Sequence, residues 1–211
     1  MSFFDALYAG AASVYGEAPD EFLVEHLPLG GVRSALDAGG GEGRHALWIA
    51  RTGVTTELID SSEAAVKRCA SRARDAGLAL HANAVDLRSW EPQRVYDVVI
   101  AAIVLHAFKI TRAADVAQRL RRAVAPGGYL YLSAHLAGGA EERMRRETAQ
   151  EERAERSFYA HDHIKTLFTE EEMRAMAAWE PVASERVEGE RCPRPECPYP
   201  HDVLRILVQR R

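Results

Sequence analysis

Two carboxylates frame a run of glycines in the first third of the chain. The segment Leu36-Asp37-Ala38-Gly39-Gly40-Gly41-Glu42-Gly43-Arg44 joins an apolar run to a helix-like segment, and Asp60 closes the next apolar run, Val54 to Ile59. A glycine-rich loop between strand and helix lets backbone approach a ligand closely, and an acidic residue at the end of the following strand is placed for ribose hydroxyls. Glycines at 39, 41 and 43 do not make GxGxxG, which needs glycine at 44, where this chain has Arg44. The third glycine of that fingerprint brings a helix N-terminus up to a pyrophosphate. A phosphate-free nucleoside with an amino-acid tail fits better, with Asp37 for its ammonium and Asp60 for its diol. A glycine cluster can also do no more than turn the chain, but the strand context and Asp60 favour binding.

Further candidates lie downstream. Tyr96 to Leu105 is a near-continuous apolar run, as in a central strand buried on both faces, and His106 follows it. Ligands of open α/β sheets bind at the carboxyl ends of such strands, so His106 is a candidate general base; the alternative is a histidine hydrogen-bonded within its loop. His161, His163, Cys192, Cys197, His201 and Arg205 populate the C-terminal third. Cys192-x4-Cys197-x3-His201 hints at zinc, but it lacks a clear fourth ligand and its spacing is loose, so no metal is assigned. The two cysteines read first as part of a rigid, proline-bracketed surface loop and second as a contact for a soft acceptor. Cys69 shares a helical stripe with Val66, Ala70 and Ala73 and reads as core.

These residues need a scaffold, and the chain supplies one. A strand-then-helix rhythm from 33 to 136 predicts an α/β fold, a Rossmann-like, doubly wound, mostly parallel seven-stranded sheet closed by a C-terminal antiparallel hairpin. Strands are expected at Ser34 to Ala38, up to Asp60, Leu78 to Ala84, Tyr96 to Leu105, Tyr129 to His135, Pro181 to Val187 and Asp202 to Gln209. Helices are expected over Gly43 to Thr52, from Ser61 with Asp60 and Glu63 in capping-box spacing, and over Thr111 to Val124. Thr169 to Met173 reads as a capping box with Met173, Met176 and Ala177 inward. Residues 1–30 form a helical lead-in with Phe22, Leu23, His26 and Leu27 on its apolar face, and 188–200 a long connection. The stretch 138–156 is dense in Glu and Arg and reads first as a solvated helix held by i,i+4 pairs, second as part of a cap or lid insert over 138–168.

At 211 residues the chain accommodates one domain, 1–211. A net charge of −4 argues against a nucleic-acid partner held by phosphate neutralisation. No apolar run approaches a membrane span and no signal-like N-terminus is present, so a cytoplasmic monomer or homodimer acting on a small molecule is expected.

In their order and spacing, several segments resemble class I S-adenosylmethionine (SAM)-dependent methyltransferases, in the small-molecule branch that includes tellurite-resistance and thiopurine methyltransferase-like proteins. They are VYGEAPDEFL from Val14, LDAGGGEGRHALWIARTG from Leu36, LIDSS around Asp60, VDL at Val85, VLHAF at Val104 and PGGYLYLS from Pro126. The resemblance implies SAM as cofactor and S-adenosylhomocysteine as product, and an in-line methyl transfer requires no metal. It implies that Gly39, Gly41 and Gly43 pass the methionine part, with Asp37 near its ammonium and Arg44 near its carboxylate. Asp60, followed by Ser61, takes the ribose; Asp86 with the Leu87 backbone addresses the adenine amino group. Tyr15 sits in a lead-in folded over cofactor and acceptor, and a histidine near the last strand, here His201, lies close to the acceptor site, which makes His201 and Arg205 candidates with His106. Gly40 departs from relatives, which often carry cysteine there. The acceptor implied is a soft sulfur, selenium or tellurium nucleophile, for which weak base catalysis suffices. Alternatives are O- or N-methylation of a secondary metabolite, or a non-catalytic SAM- or metal-binding protein; a nicotinamide oxidoreductase is disfavoured by Arg44.

Overall fold

The computed structural model describes residues 3–10, 13–148, 151–152, 156–160, 163–192, 197 and 199–211. Two short helices lead in, α1 (Phe3–Gly10) and α2 (Glu21–His26). Asp20 caps α2 by accepting from the Phe22 amide, and Phe22, Leu23 and Leu27 are buried.

Alternating strands and helices follow: β1 (Ser34–Ala38), α3 (Arg44–Ala50), β2 (Thr55–Asp60), α4 (Glu63–Asp75), β3 (Leu80–Ala84), β4 (Tyr96–Ala102), α5 (Ile110–Arg122) and β5 (Val124–His135). Next come α6 (Ala140–Thr148), the short strands β6 (Glu151–Glu152), β7 (Ser157–Ala160) and β8 (His163–Thr166), α7 (Glu170–Ala177), and the hairpin β9 (Pro181–Glu190) and β10 (His201–Gln209). Seven strands form one sheet in the order β3-β2-β1-β4-β5-β10-β9. The first five are parallel, and β10 runs antiparallel to both β5 and β9. Side chains of β4 alternate between two cores: Val99 and Ala101 pack with α5 and α7, whereas Val98 and Ile100 pack with Phe22, Leu23 and Ile49. Both faces are therefore covered, as an all-apolar central strand requires.

Four expectations change in detail. The cap of α4 is Ser62, whose hydroxyl accepts from the Ala65 amide, because Asp60 uses one oxygen on Ser62 N and the other on Gly41 N. β4 ends at Ala102 rather than Leu105: Ile103 takes φ 52° and turns the chain into a 3-10 turn, Leu105–Ala107, that is capped by Val104 and holds His106. A β-branched residue at positive φ costs on the order of 1–3 kcal/mol and marks strain at a sheet edge where ligands bind. β5 begins at Val124, opposite Tyr96, so Pro126-Gly127-Gly128 is an irregularity inside the strand rather than a break before it. The region 138–168 holds α6 and the separate three-stranded sheet β6-β7-β8, which periodicity did not reveal. The Thr169–Glu172 capping box, the inward Met173, Met176 and Ala177, the buried Cys69 and the closing hairpin are all present. No helix among the described residues is long and apolar enough to cross a membrane.

Candidate functional site

In this strand order β1 has β2 on one side and β4 on the other, so the chain leaves the sheet in opposite directions at their carboxyl ends. A crevice forms at such a switch point. Here it is a cavity of 1010 Å³. Its wall carries Asp37, Gly39, Gly41, Arg44, Asp60, Ser61, Asp86 and Leu87, with Tyr15 packed on Tyr8 beside the glycine loop, and also His106, His201 and Arg205. Of the expected site residues, Gly43 alone does not line it.

Gly43 serves the loop instead. It caps α3 at φ 84°, and a Cβ there would lie 2.4 Å from the Cys69 sulfur. Gly41 borders the cavity at φ 55°, and a Cβ there would lie 2.5 Å from the Tyr8 hydroxyl. Position 40 is also closed to side chains, since a Cβ would meet the Asp37 carboxyl carbon at 2.6 Å. Any side chain there would require this carboxylate to move.

Asp37 is 1% exposed; its Oδ2 accepts from the Ala46 amide at 3.1 Å, and its Oδ1 has no partner among the described residues. Burial pushes this carboxyl up to about 7, against the pull of the Ala46 amide and the Arg44 charge. Asp60, at the end of β2, accepts from Gly41 N and Ser62 N at 2.9 Å each and is likewise raised by burial. A carboxylate oxygen has a second lone pair, so both oxygens keep capacity for hydroxyl donors. Asp86 is more exposed and is held by Arg88, whose Nε donates to it at 2.8 Å; these side-chain hydrogen bonds, aided by the Arg88 amide and charge, keep the carboxyl low. An amino group arriving at Asp86 therefore shares it with Arg88.

Another stretch of the cavity wall is a packed polar cluster. His106 stacks on His135 at 5.5 Å, and His135 on His201 at 3.9 Å. Glu141 lies beneath: its Oε2 is 2.9 Å from His135 Nδ1 and 2.7 Å from His201 Nδ1, and its Oε1 accepts from Arg145 Nε at 2.8 Å. Lys165 Nζ sits 2.8 Å from the same His135 nitrogen, which can either donate to Glu141 or accept from Lys165. Burial alone would raise Glu141, but Lys165 and the two imidazoles outweigh it and hold it ionised. Burial pushes His106 well below its usual range, with Lys165 adding to the effect, so its ring is neutral at ordinary pH. Burial takes His135 to about 3 and Lys165 down to about 8. His106 Nδ1 is buried without a partner among the described residues.

Arg205 lines the cavity but is heavily committed. Its guanidinium reaches Asp20 at 2.9 Å, Glu190 at 2.5 Å and Glu185 at 3.4 Å, tying the start of α2 to the β9–β10 hairpin. Asp20 also accepts from the Tyr131 hydroxyl at 2.8 Å. The hairpin ends bring Cys192, Cys197 and His201 together, with their ligand atoms all within 4.8 Å of one another and in the same wall as His106. His163 also lines the cavity, while His161 lies outside the described residues.

Residues 35–128 match the family described as Methyltransferase domain. Over 94 residues it is 30% identical to a protein named Hemagglutinin 1 from Eikenella corrodens; the match takes in 44% of this chain and 31% of that protein, less than a third of its length. The fold extends over nearly the whole chain. It is similar to the structure reported for conversion of a disulfide bond into a thioacetal group during echinomycin biosynthesis, with 21% identity, a TM-score of 0.71, and 98% of this chain and 90% of that one covered. TehB from Haemophilus influenzae superimposes with a TM-score of 0.73 at 15% identity, over 93% of this chain and 64% of that one. The 1,6-didemethyltoxoflavin-N1-methyltransferase of Burkholderia thailandensis, solved with S-adenosylhomocysteine bound, gives 0.63 at 20% identity, over 90% and 75%.

Several contributors to the cavity wall and the loop had escaped sequence reasoning. Tyr8 on α1 covers Gly41 from 33 positions away, and only the tertiary fold brings it there. Glu42, inside the glycine loop, pairs with Arg68 and accepts from the Val14 amide at 2.8 Å, while Arg68 also donates to the Tyr8 carbonyl at 2.8 Å. That bridge pins the lead-in over the loop. Glu141 was hidden in the charge-dense helix: the expected i,i+4 pairs Glu141–Arg145 and Glu142–Arg146 form on a largely exposed helix, yet Glu141 itself is 1% exposed and lines the cavity.

Proposed function

We propose that this chain is a SAM-dependent methyltransferase acting on a small-molecule acceptor, most specifically on a soft sulfur-like nucleophile. The observation that carries the reading is the pairing, in one cavity, of an unpartnered buried carboxylate oxygen on Asp37 with the Asp60 carboxylate at the end of β2. Asp37 would receive the ammonium and Arg44 the carboxylate of the methionine part. Asp60 would take the ribose diol, with Ser61 beside it, and Asp86 with the Leu87 backbone the adenine edge. Gly39 and Gly41 leave the room. Pockets for single drug-sized ligands span about 300–1000 Å³, so a cavity of 1010 Å³ holds a nucleoside cofactor with a small acceptor beside it.

When bound, SAM supplies an electrophilic methyl group. The protein's own contribution is alignment and exclusion of water. Tyr8 and Tyr15, 6.3 Å apart edge to face, close the cavity under the Glu42–Arg68 bridge. His106, held neutral, can accept a proton from an acceptor, and Arg205 positions Asp20 and the hairpin around it. A soft acceptor is supported by Cys192, Cys197 and the imidazoles in the far wall, and by the sulfur chemistry named for the echinomycin-pathway structure. A thiol already carries some thiolate near neutrality and needs little base.

The test is methyl transfer from SAM to panels of thiol, selenol, phenol and amine acceptors, with His106→Ala in parallel. Thiol turnover that survives in His106→Ala to within about tenfold supports the reading; general-base assistance is typically worth 10²–10⁴-fold, so a loss of that size on a hydroxyl acceptor would favour O-methylation. Tight S-adenosylhomocysteine binding without turnover on any acceptor would make the protein a binding module.

A further inference from the structure

The tip of the β9–β10 hairpin holds a set of donors that methyl transfer does not require. Cys192 follows β9, Cys197 lies in the connection, and His201 opens β10, where it pairs with Glu190. Cys197 Sγ is 3.4 Å from His201 Nε2, and all three ligand atoms lie within 4.8 Å of one another. With Zn–S near 2.3 Å and Zn–N near 2.0–2.1 Å, tetrahedral geometry puts sulfur and nitrogen about 3.6 Å apart and two sulfurs about 3.8 Å apart. The observed spacings are those of a tetrahedral edge, or reach one with a contraction of about 1 Å or less.

The second observation concerns the other side of the imidazole. His201 turns Nε2 to the thiol and Nδ1 to Glu141 Oε2 at 2.7 Å. An Nδ1–H donating to a carboxylate fixes the tautomer that leaves an Nε2 lone pair free, which is how metal-bound histidines are oriented. Glu141 is itself locked by Arg145 and neighbours Lys165, so it is available to orient rather than to ligate. The alternative triad of His135, Glu141 and His201 also clusters within 4.8 Å, but Lys165 already places a cationic group 2.8 Å from His135 and 3.9 Å from Glu141. A dication there would face an ammonium, whereas two thiolates would neutralise one.

We propose that Cys192, Cys197 and His201 form a three-ligand zinc site, oriented by Glu141, with its open fourth position on the cavity. Three protein ligands with one position left open is the arrangement of catalytic rather than structural zinc. The exchangeable ligand favoured by such a soft site is a thiolate. A thiol that binds there gives up its proton to solvent and keeps its sulfur inside the cavity that holds His106. Only this last step rests on the methyl-transfer reading; the ligand set does not.

The experiment measures zinc bound to the full-length protein, purified without chelator and free of added acceptor, by elemental analysis and by competition with a chromogenic chelator. One zinc per chain is expected, with zinc lost from Cys192→Ser/Cys197→Ser while S-adenosylhomocysteine affinity changes by less than about threefold, which shows the fold intact. Glu141→Gln should retain the site but weaken zinc by about 10–100-fold, as removal of an orienting partner does. Cobalt(II) should replace zinc and give the sulfur-to-metal charge-transfer band of a thiolate site. Substoichiometric zinc in the parent, zinc retained by the double serine variant, or a Cys192–Cys197 disulfide in the protein as isolated would each overturn the proposal. Because these readouts need no turnover, they fail independently of the methyltransferase assignment.

Discussion

Lowering the pH from 7 to 5 should loosen S-adenosylhomocysteine sharply, because the carboxylate assigned to its ammonium titrates in that window. Burial holds the Asp37 carboxyl at about 7 in the free protein. A bound ammonium favours the ionised form, so binding is strongest above pH 7 and falls as protons compete below it. Half of the chains carry ionised Asp37 at pH 7 and about one in a hundred at pH 5, a loss of about 50-fold in affinity, or roughly 2.3 kcal/mol. The stability of the free protein runs the other way. A carboxyl whose folded value lies above its usual 3.8 penalises folding above pH 7, by up to about 4 kcal/mol here, and the penalty fades as the pH drops toward 4. Asp37→Asn keeps an acceptor for the Ala46 amide. It should melt higher than the parent at pH 8 without ligand, bind S-adenosylhomocysteine about 10–100-fold more weakly at neutral pH, and lose the Asp37 share of the pH slope. Calorimetric titration across pH 5–8 with both proteins is the assay. Parallel slopes for the parent and Asp37→Asn would refute the assignment of the ammonium to Asp37.

Three further outcomes follow from the same geometry. Asp60→Ala removes the ribose acceptor and the partner of the Gly41 and Ser62 amides, and should cost about 2–4 kcal/mol of ligand binding, at roughly 1–2 kcal/mol per bond to a charged acceptor; unchanged affinity would mean the ribose lies elsewhere. Gly41→Ala forces both a positive φ and a clash with the Tyr8 hydroxyl, so Tyr8→Phe should recover part of its lost melting temperature, while the conformational share of about 1–2 kcal/mol remains; strict additivity in the double variant would show the two groups do not meet. Arg68→Met leaves Glu42 buried without its cation, which costs about 3–5 kcal/mol for such pairs; early proteolytic cutting near residues 10–20 and a raised Kd are expected, and an intact lead-in would show that the bridge does not hold it.

The parallel half of the fold and the cofactor end of the cavity were legible because their signals are local. Apolar runs ending in Asp37 and Asp60, with glycines between them, specify strand ends and a loop within 25 residues. The acceptor end was not. Glu141 reads as one more charge on a solvated helix, since i,i+4 pairing looks the same whether one partner faces water or a pair of histidines. His135 sits mid-pattern in a strand, and Lys165 in a four-residue strand of a small sheet that no periodicity announces. Both acquire meaning only when β10 folds back beside β5 and carries His201 to them. The capping misassignment at α4 has the same origin: Asp60 has the residue type of a cap, but its oxygens are taken by Ser62 and the glycine loop.

A crystal structure with S-adenosylhomocysteine soaked at pH 8 is the decisive test of a SAM-dependent methyl-transfer site at the β1/β4 switch point. The amino-acid tail is expected between Asp37 and Arg44, the ribose diol on Asp60, the adenine edge near Asp86 and Leu87, and the sulfur facing His106 across space bounded by the β9–β10 hairpin. A ligand bound outside this cavity, or bound in it with the ribose away from Asp60 and the sulfur away from His106, would contradict that placement.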